Sequence, residues 1–283
     1  MESKRKLIIV PSDFTDVIEF AIDHAANICK MQDAKLILLH IINKDTKALL
    51  KKEKTDLSEI KKRLEKKAIE TAKKYEISVD SMAEEGSIFS TIGQVTKEMQ
   101  ASMVVMGTHG KNGMQHITGS YALKVIETSP APVIVVQKRG FRKGYNKIVL
   151  PVDDTIESKQ KVKWAIHIAR KYNSTVHLLG MSLSDSMRMA KIKANMLQII
   201  KFFKQNEIVH EYDYAEKNGS FHKQILVYSK SIDADLILIM TEPYKLMPSF
   251  MINKWEEQLL FNDSLIPIMA INPIELGIVV GGM

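Results

Sequence analysis

The feature that most constrains this chain's fold is that it repeats itself. Ile148-Val-Leu-Pro-Val-Asp153 echoes Ile8-Ile-Val-Pro-Ser-Asp13 at an offset of 140, and Ser174-Thr-Val-His-Leu-Leu-Gly180 echoes Ala34-Lys-Leu-Ile-Leu-Leu-His40 at the same offset. Asn218-Gly219-Ser220 answers Glu85-Gly86-Ser87, and Ala234-Asp-Leu-Ile-Leu-Ile239 answers Ala101-Ser-Met-Val-Val-Met106, both at an offset of 133. Ile266-Pro-Ile-Met-Ala-Ile271 closes the second half as Ala131-Pro-Val-Ile-Val-Val136 closes the first. Landmarks recurring in the same order mean that one structural unit is present twice. At 283 residues there is room for two compact units of about 140. The divisions expected are 1–139 and 145–272, with Lys138 to Gly144 as a short basic linker and 273–283 as a tail.

Within each unit, apolar runs alternate with amphipathic ones. In the first, strands are expected at Lys6 to Val10, Ala34 to Ile42, Ile77 to Met82, Met103 to Met106 and Val133 to Val136. Helical periodicity covers Asp16 to Lys30, Ile88 to Gln100 and Tyr121 to Thr128, and Leu57, Ile60, Leu64, Ala68 and Ala72 recur at three- and four-residue steps. Apolar strands alternating with helices imply an α/β unit with a five-stranded parallel sheet covered on both faces. The last strand of such a unit would be an exposed edge. Two copies in one chain can pair Val133 to Val136 with Ile268 to Ile271 and so form an internal pseudo-dimer.

Composition narrows the function. Lys44 to Lys74 holds twelve Lys/Arg against six Asp/Glu, most of the chain's net charge of +7. Acidic residues are interspersed there and no aromatics interleave as base stacking requires, so a solvated helix face is expected, not a nucleic-acid surface. No apolar run approaches the roughly 20 residues of a membrane span, and Leu7 to Val10 is too short for a secretory core. With a single cysteine, Cys29, no internal disulfide is available, and the eight histidines show no metal-ligand spacing. A cytoplasmic protein is expected.

One stretch carries chemistry. Gly107-Thr-His-Gly110 follows an apolar strand, and Gly119-Ser120 opens a helix at Tyr121. Unpaired N–H groups at a helix start, backed by the helix dipole, suit phosphate, and the glycines let the backbone come close. The same glycines also serve a plain strand–turn–helix connection. In the second half Gly107-Thr-His-Gly110 becomes Met240-Thr-Glu-Pro243, and Trp255 and Glu256-Glu257 stand where Gly119-Ser120-Tyr121 stood. A proline lacks the N–H, and carboxylates repel phosphate, so only the first half keeps the cradle.

These residues resemble the universal stress protein family in its tandem two-domain form, over essentially the whole chain to about Asn272. The family's ATP-binding members carry Gly-x2-Gly-x9-Gly-Ser/Thr; here the motif is Gly107-x2-Gly110-x8-Gly119-Ser120, one residue shorter. The resemblance implies two Rossmann-like domains of the adenine nucleotide alpha hydrolase type. It implies ATP or a related adenine nucleotide in the first domain, at the carboxyl ends of the first, second and fourth strands. Pro11, Asp13 and Ile41 would meet the nucleoside, with Asp13 also suited to capping the first helix. Gly107, His109 and Gly110 would lie along the ribose and phosphates, and Gly119, Ser120 and the backbone of Tyr121 would hold the outer phosphates. Mg2+ would accompany a triphosphate, held by phosphate oxygens and water. The expected output is a nucleotide-dependent contact with a protein partner, as yet unidentified, and not turnover, because no Gly-x4-Gly-Lys-Ser/Thr is present. Slow hydrolysis, a protein that binds no nucleotide, and a homodimer remain open at this point.

Overall fold

The computed structural model describes residues 6–108, 119–241 and 258–273. In the first half the order is β1 (Leu7–Pro11), α1 (Val17–Gln32), β2 (Lys35–Ile42), α2 (Lys44–Glu53), α3 (Leu57–Tyr75), β3 (Val79–Glu85), α4 (Ile88–Glu98), β4 (Met103–Gly107), α5 (Gly119–Thr128) and β5 (Val133–Val136). The second half repeats it: β6 (Lys147–Val152), α6 (Val162–Tyr172), β7 (Thr175–Gly180), α7 (Ser186–Gln205), β8 (His210–Tyr214), α8 (Phe221–Ser231), β9 (Leu236–Met240) and β10 (Ile268–Ile271).

All ten strands join in one sheet, in the order β3-β2-β1-β4-β5-β10-β9-β6-β7-β8. Pairing is parallel inside each half and antiparallel only where the halves meet, with Ile268 opposite Val135, Met269 opposite Ile134 and Ala270 opposite Val133. The internal pairing expected from the repeat is therefore the seam of the molecule. β4, β5 and β10, at the seam, are buried along their whole length, because helices cover both faces of the sheet. The outermost strands differ. β3 and β8 carry Asp80, Glu84, Glu85, Glu211 and Asp213 and are largely exposed, which suits an edge that must not recruit another strand.

Two differences from the sequence reading have local causes. The third strand begins at Val79 and not at Ile77, because Glu76 turns left-handed (φ 57°) and Ile77 donates to Ala72 O to close α3. The basic segment forms two helices where the apolar periodicity marks one. Asn43 caps α2 through Thr46 N, Lys54 ends it in a left-handed turn, and Asp56 caps α3 through Ser58 N.

The linker is packed, not loose. Phe141 N donates to Asp23 Oδ2 at 2.7 Å, Arg139 donates to Ala234 O at 3.0 Å, and Arg142 pairs with Asp233 at 2.5 Å. Tyr145, fully buried, meets His24 Nδ1 at 2.8 Å, and His24 Nε2 meets Arg139 O at 3.0 Å. A neutral imidazole fits both contacts, accepting from the phenol and donating to the carbonyl. Burial pushes the His24 pKa down to about 4.

Candidate functional site

β1 ends at Pro11, and Ser12 N donates to Leu39 O at 2.7 Å, so the chain leaves the sheet beside β2. The backbone then reverses at Phe14 in the left-handed conformation (φ 62°), which costs a bulky residue about 1 kcal/mol or more. Just before it, Asp13 folds back: Oδ1 accepts from Thr15 N at 3.0 Å and from Thr15 Oγ1 at 2.6 Å. Its other oxygen, Oδ2, is shielded from solvent and has no hydrogen-bond partner among the described residues. The residue at the N-cap of α1 is Asp16, not Asp13, so Asp13 shapes the turn ahead of the helix.

Asp13 and Phe14 line a cleft of about 140 Å³ that opens to solvent at its mouth. Pro11, Leu39, Ile41 and Met106 contribute from the carboxyl ends of β1, β2 and β4. Asn43, Asp45, Thr46 and Leu49 form a wall from the start of α2, with Ile60 of α3 and Ile88 and Ile92 of α4 opposite. Among the described lining residues there are two carboxylates and no lysine or arginine. Such a cleft suits an apolar ring bearing hydrogen-bond donors and repels phosphate.

His40 is a satisfied buried histidine. Nδ1 meets Ser12 O at 2.7 Å and Nε2 meets Thr46 Oγ1 at 3.0 Å, so the ring ties α2 to the end of β1. Its ring lies 4.8 Å from that of Phe14. Burial lowers its pKa, against the opposing pull of the Ser12 carbonyl and the Asp13 charge, and the neutral form is favoured.

Of the residues singled out from sequence, Pro11, Asp13 and Ile41 meet in this cleft. Gly107 ends β4 one residue past Met106. A Cβ there would lie 2.7 Å from Val17 Cγ1 and 2.8 Å from Val17 O, so this glycine is required by the approach of α1 to β4 whatever else it does. His109 and Gly110 lie outside the described residues. Gly119, Ser120 and Tyr121 form the opening turn of α5. That turn adjoins the cleft wall: Ile88 faces the cleft, and the next residue, Phe89, packs its ring 4.9 Å from Tyr121. Sequence reasoning did not find Phe14, Asn43, Asp45, Thr46 or Leu49. The capping residue Asn43 was the available signal for the start of α2.

The second half treats the same ground differently. Asp153 repeats the turn, accepting from Thr155 N at 2.9 Å and Thr155 Oγ1 at 2.5 Å. There Asn195 of α7 donates to Asp153 O and Thr155 O, each at 2.9 Å, and Arg188 grips Asp154 through two bonds of 2.7 and 3.0 Å. Where His40 stood is Gly180, and a Cβ on it would lie 2.7 Å from the ring of Tyr214. Lys161, in place of Ala21, is buried near Asp153, and desolvation lowers its pKa to about 8. The residues opposite Gly119 to Tyr121, including Trp255, Glu256 and Glu257, lie outside the described ones, as does Pro243.

Known proteins share this chain's sequence pattern and fold. The model of the universal stress protein family matches residues 4–137 and again 144–253. The universal stress protein MJ0531 of Methanocaldococcus jannaschii is 31% identical over 144 residues, covering 48% of this chain and 85% of that one. The crystal structure of a universal stress protein from Archaeoglobus fulgidus superposes with a TM-score of 0.70 at 15% identity, covering 95% of this chain and 97% of that one. A universal stress protein solved in complex with cAMP is 21% identical, with a TM-score of 0.37 over 48% of this chain and 100% of that one.

Proposed function

The chain belongs to the universal stress protein family, with two of its domains in tandem, and we propose that its first half binds ATP or a related adenine nucleotide while its second half does not. The observation that carries this reading is the bare Oδ2 of Asp13. A shielded carboxylate oxygen without a donor is costly, and a ligand offering hydroxyls or an amine repays it. The nucleoside fits a cleft that is apolar apart from Asp13 and the polar start of α2. The phosphates belong outside it, toward Gly107 and the first turn of α5, where Gly119, Ser120 and the amide of Tyr121 would receive them. The resemblance assigns Gly110 and His109 to the phosphates as well. Mg2+ would ride on the phosphate oxygens and water: among the described residues no three His, Cys, Asp or Glu come together as a ready metal site.

Binding and release, not turnover, is the function inferred. The motif has no lysine at the position where a nucleotide-hydrolysing loop carries one. The residue spans 1–139 and 145–272 are proposed as the two domains, with output through a protein contact that changes with nucleotide occupancy. No helix among the described residues is long and apolar enough to cross a membrane.

Calorimetric titration with ATP tests the reading. Wild-type protein should take up one nucleotide per chain, and a hundredfold excess of ligand over Kd should add about 2.7 kcal/mol to its stability. Asp13→Ala should weaken binding at least tenfold. No detectable uptake at millimolar ATP, or uptake that survives Asp13→Ala unchanged, would falsify the assignment.

A further inference from the structure

We propose that the second half supplies a positioning residue to the first half's site: Asn272, just past β10, fixes helix α5, whose opening turn is the phosphate end of the site. The inference rests on the nucleotide reading given above. Its physical basis is a set of hydrogen bonds across the seam. Asn272 Nδ2 donates to Ile126 O at 2.6 Å and to Ser129 O at 2.9 Å, with Glu127 O at 3.4 Å. These carbonyls close α5, and carbonyls at a helix end need donors from elsewhere. On its other side, Asn272 Oδ1 accepts from Thr241 Oγ1 at 2.6 Å. Three carbonyls can only accept, so the amide nitrogen must face α5 and the oxygen must face Thr241. The side chain has one orientation.

The arrangement is reciprocal. Gln137, in the matching place after β5, donates to Asn262 O at 3.0 Å, beyond the last helical turn of the second half. Each half's final strand thus ends in an amide that reaches across the seam to the other half. In the first half that helix is ten residues long, about 15 Å, and too short to hold its place by intrinsic stability. It is located by what touches it. Ala122, Leu123, Val125 and Ile126 seat it on the sheet, and Thr128 Oγ1 donates to Phe89 O at 2.7 Å. Asn272 adds a hydrogen-bonded contact from the other half. A stiff rod moved at its carboxyl end moves at its amino end, and phosphate binding depends on where the amino-end amides point.

Thr241 extends the link. It directly follows β9, in the position that Thr108 holds after β4, and its N–H donates to Ile271 O at 3.0 Å. Thr241 is therefore one hydroxyl away from the amide that holds the carboxyl end of α5. By linkage, nucleotide bound in the first half favours one arrangement of Thr241 in the second.

The test compares two ligands on the intact chain. Adenosine uses the cleft, and ATP uses the cleft and the start of α5. Asn272→Leu should weaken ATP binding about tenfold, a usual size for coupling between sites. It should leave adenosine within about twofold, the scatter expected for uncoupled positions. Asn272→Gln, which keeps the amide, should recover part of the ATP affinity. Thr241→Val removes the hydroxyl that holds Asn272 Oδ1, with little change in volume, and should weaken ATP selectively by about threefold; it carries the test if Asn272→Leu does not fold. Equal loss for both ligands, or unchanged ATP affinity in folded Asn272→Leu or Thr241→Val, overturns the proposal. If wild-type protein binds neither ligand, the nucleotide reading fails first and this inference with it.

Discussion

The two halves share a backbone plan and a turn, Asp13-Phe-Thr15 and Asp153-Asp-Thr155, yet only the first leaves that turn facing open space. In the second half Asn195 and Arg188 of α7 reach down and occupy the turn's carbonyls and its following carboxylate. In the first half the corresponding segment breaks into α2 and α3, and His40 with Thr46 holds the start of α2 to one side. Phe14 is strained and Asp154 is not among the left-handed residues. Duplicated modules diverge most cheaply at such loops, because the sheet beneath is over-determined by packing while the loop above answers to a few side chains.

The largest effect expected from this contrast is a response to acid. His24 of the first half is buried and neutral, with a pKa of about 4; Trp164 holds its place in the second half and cannot titrate. A lowered folded-state pKa means that the unfolded chain takes up the proton first. The stability His24 contributes is complete above pH 6.5 and is lost as pH falls from 6.5 to about 4. The loss should reach about 3 kcal/mol, read as the fall in the urea midpoint, and His24→Gln should flatten that part of the profile. An unaltered slope in His24→Gln would mean that the acid response arises elsewhere.

Next comes the matched pair Gly107 and Met240, at the same point of β4 and β9. Gly107→Ala forces a methyl against the Val17 backbone and should cost about 2 kcal/mol, whereas Met240→Ala should cost about 1 or less, since Met240 is only partly buried. Equal costs would show that the close approach of α1 to β4 is not what requires a glycine.

The smallest effect separates structure from binding. Asp13→Ala and Asp153→Ala each remove the same pair of turn hydrogen bonds, and each should cost about 1 kcal/mol in thermal or urea unfolding. Only Asp13→Ala should also alter ATP affinity. If Asp153→Ala weakens ATP as much, the division of labour between the halves is wrong.

Much of this was legible along the chain. The repeated landmarks implied two α/β units, and an otherwise bare fifth strand implied the seam between Val133–Val136 and Ile268–Ile271. The resemblance to universal stress proteins pointed to Pro11, Asp13 and Ile41, and these three line the cleft. The wall of the cleft could not. Leu49 and Ile60 look like ordinary helix-stripe residues, and whether α2 stands beside the turn or α7 lies across it depends on contacts with β-strands far away in sequence. Nor did the basic linker announce that Arg139 and Arg142 would face Asp233 and Asp235.

Periodicity and repetition are local properties, so sequence alone settled that there are two sheets' worth of alternating elements and where the exposed edges must close. Which glycine is a packing necessity, which carboxylate oxygen is left bare and which half's amide secures α5 are set by side chains meeting from positions up to 146 residues apart. Those meetings are decided by close packing in three dimensions, and no single stretch of the chain encodes them.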